Sequence, residues 1–249
     1  MKKFILVFFF FFSALLAFNA RGIANYINLS IYNSNIERSM SSKDMVQTSV
    51  YVYAPKYVAL TFDDGPSKKT TPLLLEFLKE NDVTVTFFLL GENISGNEEI
   101  LRNIKKDGHE IGVHSYTHKL FTKIKNEKIH EQISSTNELI YAATSSYASI
   151  VRPPYGSVNK RVKEFIKMPI ILWNVDSLDW KYRSAEKIYS RVIRETTSYD
   201  IILMHDIFPT SVEASKLIIQ KLKADGYTFV TVSKLNELKA ARDEMLKSR

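Results

Sequence analysis

The chain of 249 residues suits one barrel-sized domain or two small ones. Apolar residues make up 45% and charged residues 24%, which excludes a disordered polar chain, and the absence of cysteine excludes disulfides and thiolate metal sites, so any metal must sit on His, Asp or Glu. The net charge of +7 fits an acidic matrix such as a cell wall or anionic lipid, whereas no recognition motif or basic–aromatic interleaving points to nucleic acid.

Lys2 and Lys3 precede residues 4–18, which are apolar except for Ser13. This is the layout of a secretory signal and is short for a membrane span. Export is expected, to the cell exterior or wall. Ala17 and Ala20 are possible cleavage points, but Leu15 and Phe18 stand where a small residue is preferred. A retained tether through residues 4–18, facing outward, is the alternative to a cleaved leader 1–20. Loss of Lys2 and Lys3 would leave a charge of +5. Residues 21–55, rich in Asn, Ser and Tyr, predict a linker or small extension, within which 50–53 could add a strand. Asn28-Leu29-Ser30 fits a glycosylation acceptor only by chance.

From residue 57, apolar runs and amphipathic stretches alternate. Strands are predicted over 57–62, 83–90, 110–114, 149–152, 170–175, 200–204 and 228–232. Helices are predicted over 69–80 (with Leu73, Leu74, Phe77 and Leu78 on one face), 98–106, 125–142, 159–167, 185–196, 212–224 and 235–247. Lys123, Lys125 and Lys128 are scattered as on a solvated face. About seven βα units with continuous apolar strands predict an α/β fold over 56–249. A β/α barrel, complete or not, is favoured over an open doubly wound sheet. No G-x-G-x-x-G or phosphate loop follows any strand.

A β/α barrel carries its site at the C-terminal strand ends, and unusual polar residues stand at five of them. Asp63 and Asp64 end the first strand, ahead of Gly65-Pro66. Adjacent acids repel, and a division of labour, one acid on a metal and one on a proton, gives a reason for both. A helix N-cap explains only one of them. His114 and His118 are four apart, a spacing that lets two rings reach one ion, with Asp64 as a third ligand and open positions left for water and substrate. Arg152, ahead of two prolines, is a surface arginine at a rigid turn or a fixed cation that orients Asp63 and favours its charged form. Asp179 can pair with His205 and equip it to donate a proton. Trp180 is core or pocket wall. His109, at a strand start, is expected to be structural and His130 to be exposed. Asp176 and Asp206 are expected to cap or bond locally.

Taken in order, Thr61-Phe62-Asp63-Asp64-Gly65-Pro66, His114-Ser115-Tyr116-Thr117-His118, Arg152-Pro153-Pro154-Tyr155, Asp176-Ser177-Leu178-Asp179-Trp180 and Leu203-Met204-His205 resemble the five motifs of the polysaccharide deacetylases, the NodB-homology group or carbohydrate esterase family 4. The resemblance spans about 57–232. It implies a distorted (β/α) barrel with seven or eight strands. It also implies one divalent ion, zinc with cobalt as the alternative, on Asp64, His114 and His118. Asp63 would be the base, tethered by Arg152, and His205 the acid, tethered by Asp179. The Tyr155 amide would help hold an oxyanion, and Trp180 and Leu203 would line an acetyl pocket. The expected partner is an acetylated glycan, bacterial peptidoglycan (N-acetylglucosamine residues first, N-acetylmuramic acid second) ahead of chitin oligomers and acetyl-xylan, acted on by a monomer. A non-catalytic glycan-binding wall protein and a metallophosphatase are the rival classes.

Overall fold

The computed structural model describes residues 55–248. The expected leader or tether, residues 21–54 of the linker with its extra strand, and Asn28 lie outside the described residues. Strand β1 (Lys56–Asp63) is buried from Val58 onward, as expected of a strand covered on both faces. Thr70 precedes α1 (Thr71–Glu80), where Pro72 occupies an early position that needs no N–H. The buried face of α1 is Leu74, Leu75 and Leu78; Leu73, expected in it, is 54% exposed, and Phe77 only edges the core. Then follow β2 (Thr86–Leu90), α2 (Glu98–Lys106), β3 (Glu110–Ser115) and α3 (Asn126–Thr144). After these come α4 (Lys160–Phe165), β4 (Val175–Asp176), a single turn α5 (Asp179–Tyr182), α6 (Ala185–Glu195), β5 (Asp200–His205), α7 (Pro209–Ala224), β6 (Tyr227–Phe229) and α8 (Val232–Lys247). No helix among the described residues is long and apolar enough to cross a membrane.

All strand pairs are parallel, in the order β3-β2-β1-β5-β4. Single bridges Val113–Val151 and Val151–Ile170 carry the wall from β3 round to the segment that leads into β4, and so close a distorted (β/α) barrel. The predicted strands 149–152 and 170–175 shrink to these bridges and to β4. Pro153, Pro154 and Pro169 flank them and have no N–H to extend a ladder. One edge of β1 pairs along its length with β5. The other is shared, its upper half with β2 and its lower end with β6.

Alternation along the strands sorts two cores. Val58, Leu60, Phe62, Phe87, Leu89, Ile202 and Met204 face the helices, while Ala59, Phe88, Ile150 and Ile171 meet inside the barrel with Val232 and Leu235 of α8. Gly112 makes room there, since a Cβ would stand 2.5 Å from Phe88 and 3.1 Å from Ile150. The barrel floor is polar. Thr86 Oγ1 donates to Glu110 (3.0 Å) and accepts the Val232 N–H (3.0 Å), and the Ser233 N–H and hydroxyl also bond Glu110. Continuing the same alternation upward brings Asp63, His114, Arg152, Trp173, Leu203 and His205 to the opposite, upper rim.

Candidate active site

Asp63 ends β1 pointing inward, 3% exposed. Its neighbour Asp64 turns into the left-handed region at φ 72°. Two bonds fix that turn: Asn93 Nδ2 donates to the Asp64 carbonyl (2.8 Å), and the Leu90 N–H to the Gly65 carbonyl (3.0 Å). The adjacent acids therefore diverge from one strand end into one cavity.

Arg152 has no exposed surface. Its Nη1 donates to Asp63 Oδ1 (2.7 Å) and to Thr61 Oγ1 (2.8 Å), and Nε and Nη2 reach the carbonyls of Ile171 and Leu172 (both 3.3 Å). The guanidinium lies 4.1 Å from the Phe88 ring centroid and 5.7 Å from that of Trp173. A cation so enclosed needs its carboxylate partner and leaves Asp63 only Oδ2 free to act.

Asp64 Oδ1 stands 3.5 Å from His114 Nε2 and 3.5 Å from His118 Nε2. It is buried and has no hydrogen-bond partner among the described residues. The three donor atoms lie within 4.8 Å of one another. Ligand atoms around a tetrahedral zinc at its usual bond lengths stand about 3.3–3.5 Å apart, so an orphaned carboxylate oxygen facing two ring nitrogens fits a divalent ion. The bonds behind these side chains fit as well. His114 Nδ1–H donates to the Arg152 carbonyl (2.7 Å), which turns the Nε2 lone pair toward Asp64. Burial lowers the His114 pKa against the pull of Asp63 and Asp64, so the ring is neutral. His118, at φ 53°, is held by its N–H to Ser115 Oγ (2.9 Å). Gln132 of α3 accepts the N–H groups of Tyr116 and Thr117 and so fixes the loop between the two histidines.

Across the cavity, His205 Nδ1 and its backbone N–H bond the two oxygens of Asp179, both at 2.7 Å. Asp179 is fully buried and also accepts from Ser211 Oγ (2.7 Å) and the Trp180 N–H (2.8 Å). Burial works against both charges, yet these bonds hold the Asp179 carboxyl below its usual range. Burial likewise disfavours the His205 imidazolium, but Asp179, with Asp63 and Asp64 adding, pushes its pKa up to about 9. His205 Nε2 is left facing Asp64 Oδ2 at 3.9 Å. In Asp179→Asn the acceptor charge is gone while burial remains. The His205 titration midpoint, followed by NMR of the ring protons, is expected to fall from about 9 by about 2 or more. An unchanged midpoint would show that Asp179 does not set it.

A cavity of about 370 Å³ opens above these groups, walled by Tyr155, Trp173, Asp176, Trp180 and Leu203. Trp180 is 51% exposed and belongs to this wall, not to the core. Tyr155 sits at φ 60° with its ring edge-on to His118, centroids 4.5 Å apart. All ten residues assigned to the site from sequence thus stand around one rim. Asp64, His118, Tyr155 and the residue before Asp179, Leu178, all adopt left-handed conformations that cost a non-glycine residue about 1–3 kcal/mol. Trp173 was not anticipated. It follows inward-facing Ile171 by two, and the alternation slips at Asn174, whose Oδ1 takes the Ile201 N–H, so that Asp176 faces the cavity too. Asp176 also bonds locally, to the Leu178 N–H. Asp206 accepts from Thr71 Oγ1 and is fully buried, which pushes its carboxyl up to about 7. His109 is buried at the floor, its Nδ1 accepting the Val85 N–H, and His130 is exposed.

The sequence model of the family described as "Polysaccharide deacetylase" matches residues 52–168. The chain is 42% identical over 180 residues to the peptidoglycan-N-acetylglucosamine deacetylase PgdA of Listeria monocytogenes, covering 72% of this chain and 39% of that protein. It is 33% identical over 241 residues to a peptidoglycan-N-acetylglucosamine deacetylase of Bacillus cereus, covering 88% of each. The solved structure of the peptidoglycan deacetylase PdaC from Bacillus subtilis superposes with a TM-score of 0.75 at 39% identity, covering 78% of this chain and 96% of that one. The chain thus spans about two-fifths of the length of PgdA but nearly the whole of the B. cereus relative.

Proposed function

The chain belongs to the polysaccharide deacetylase family, and from that premise we propose that it hydrolyses N-acetyl groups of a cell-wall glycan, with peptidoglycan N-acetylglucosamine as substrate, releasing acetate. The observation that carries this is the pairing of two tethered proton-transfer groups, Asp63 on Arg152 and His205 on Asp179, on either side of the Asp64–His114–His118 cluster. The names of the relatives support peptidoglycan over chitin.

Asp64, His114 and His118 would hold the metal. Two nitrogens and one oxygen favour zinc, with cobalt as the alternative. When bound there, a divalent ion supplies Lewis acidity toward water and the acetyl carbonyl. The chain's own groups move the protons. Asp63 Oδ2, the oxygen that Arg152 leaves free, takes a proton from the attacking water. The Tyr155 amide is assigned to the oxyanion of the tetrahedral adduct. His205 Nε2 then protonates the departing nitrogen, so acetate and a free amine leave with the protons balanced. Trp173, Trp180 and Leu203 enclose the acetyl methyl and limit bulk water.

Export to the cell wall goes with this function. It is supported by Lys2 and Lys3 ahead of the apolar run 4–18 and by the basic charge, whether the run is cleaved or retained as a tether. One chain supplies every site group, which suits a monomer. The test is acetate release from purified peptidoglycan, chito-oligosaccharides and acetyl-xylan, with and without chelator. Release is expected from peptidoglycan, falling at least about 100-fold with chelator and returning with zinc or cobalt. Glycan binding without acetate would overturn the proposal and favour a non-catalytic wall protein.

A further inference from the structure

The turn α5 has a left-handed residue at each end, Leu178 at φ 54° and Arg183 at φ 47°. Neither is glycine, so both ends of the turn are held in a backbone conformation that L side chains disfavour. The first bend brings Asp179 under His205 and Trp180 into the cavity wall. The second lays the Arg183 guanidinium on the face of Phe208, 3.2 Å from the ring centroid. The Phe208 ring is in turn 6.1 Å from that of His205. Arg183 is exposed, and among the described residues no carboxylate pairs with it. Among the described arginines, Arg152, Arg191, Arg194 and Arg242 each meet an acid, whereas Arg102 and Arg161, like Arg183, form no ion pair; Arg183 differs from those two in lying flat on an aromatic ring.

A guanidinium stacked on an aromatic face has lost much of its rotamer freedom, while its edge still presents a planar fork of N–H donors. That fork complements a carboxylate in bidentate fashion. It stands one aromatic ring beyond His205 and outside the residues that wall the cavity, so any part of a substrate that it meets is other than the reacting acetamide. Peptidoglycan carries carboxylates on its peptide stems, and on the lactyl group wherever a stem is missing, and chitin carries none.

We propose that Arg183, held flat on Phe208 beside His205, is a carboxylate-binding subsite that makes the site prefer an anionic glycan over a neutral one. The inference rests on the deacetylase function proposed above and names what that site selects. Arg183 covering Phe208 for stability alone is the competing account.

The test compares kcat/KM for acetate release from a soluble peptidoglycan fragment and from the same fragment with its carboxylates amidated. For the wild type the acidic form is expected to be favoured. In Arg183→Gln the acidic-to-amidated ratio is expected to fall about tenfold, chiefly through KM. Between about 50 and 500 mM salt the wild-type preference is expected to shrink, as for an exposed charge pair, while the variant stays flat. Arg183→Lys, which keeps the charge but loses the fork, is expected to fall between the two. A ratio unchanged within about twofold, or equal losses on both substrates together with a lowered melting temperature, would overturn the subsite. No acetate from either form with the wild-type protein would remove the deacetylase function itself, a result distinct from an unchanged ratio.

Discussion

Asp63→Asn is expected to lower kcat at least about 1,000-fold while one equivalent of metal still binds. The amide oxygen can keep the Arg152 Nη1 bond that Asp63 Oδ1 accepts at 2.7 Å, but the remaining atom becomes an NH₂ group that cannot take a proton. The three proposed ligands are other residues, and the His114 tautomer is set by the Arg152 backbone carbonyl, which the substitution leaves in place. Kinetics alone would not separate a lost base from a lost ion, so metal content by elemental analysis must accompany the assay. Stoichiometric metal with near-normal turnover would show that Asp63 is not the base. Loss of the metal together with activity would show that Asp63 belongs to the ligand set.

Arg152→Met is expected to lose about 3–5 kcal/mol of stability and most of the activity with it. The side chain satisfies Asp63, Thr61 and the carbonyls of Ile171 and Leu172 from a position with no exposed surface. Methionine fills similar volume but leaves Asp63 a buried carboxylate without its cation. Urea unfolding of the metal-free protein measures the loss free of any metal contribution. A variant within about 1 kcal/mol of the wild type would mean that Asp63 finds another partner or sheds its charge, and that the tether is dispensable.

The parts of this architecture visible in the sequence are those where polarity breaks an apolar run. Asp63-Asp64 after 57–62, His114 near the end of β3 and His205 at the end of β5 all announce strand ends, because a parallel strand covered on both faces leaves no other reason for a charge there. The β/α alternation was legible for the same reason, since long helices and buried strands differ in period. Short or irregular pieces were not. α5 has four residues, too few for any period, and its bends fall on Leu178 and Arg183, which carry none of the glycine signal of a left-handed turn. Trp173 was hidden because a tryptophan in an apolar stretch suggests core, although counting two from Ile171 would have turned it inward. Gln132 resembles any polar residue on a long helix until its Oε1 is found bonded to the His114–His118 loop. Leu73 was assigned to the buried face in place of Leu75 because four consecutive apolar or proline residues at the start of α1 leave its rotation undetermined to within one position.

The pairing of β1 with β5 sets Asp63 directly opposite His205, on one rung of the sheet. The two ends of the proposed proton relay are therefore spaced by the barrel wall itself before any sugar arrives, and no hinge has to swing shut to assemble them. A tool built that way can work on a stiff, insoluble mesh as it lies, without having to fold around a piece of it.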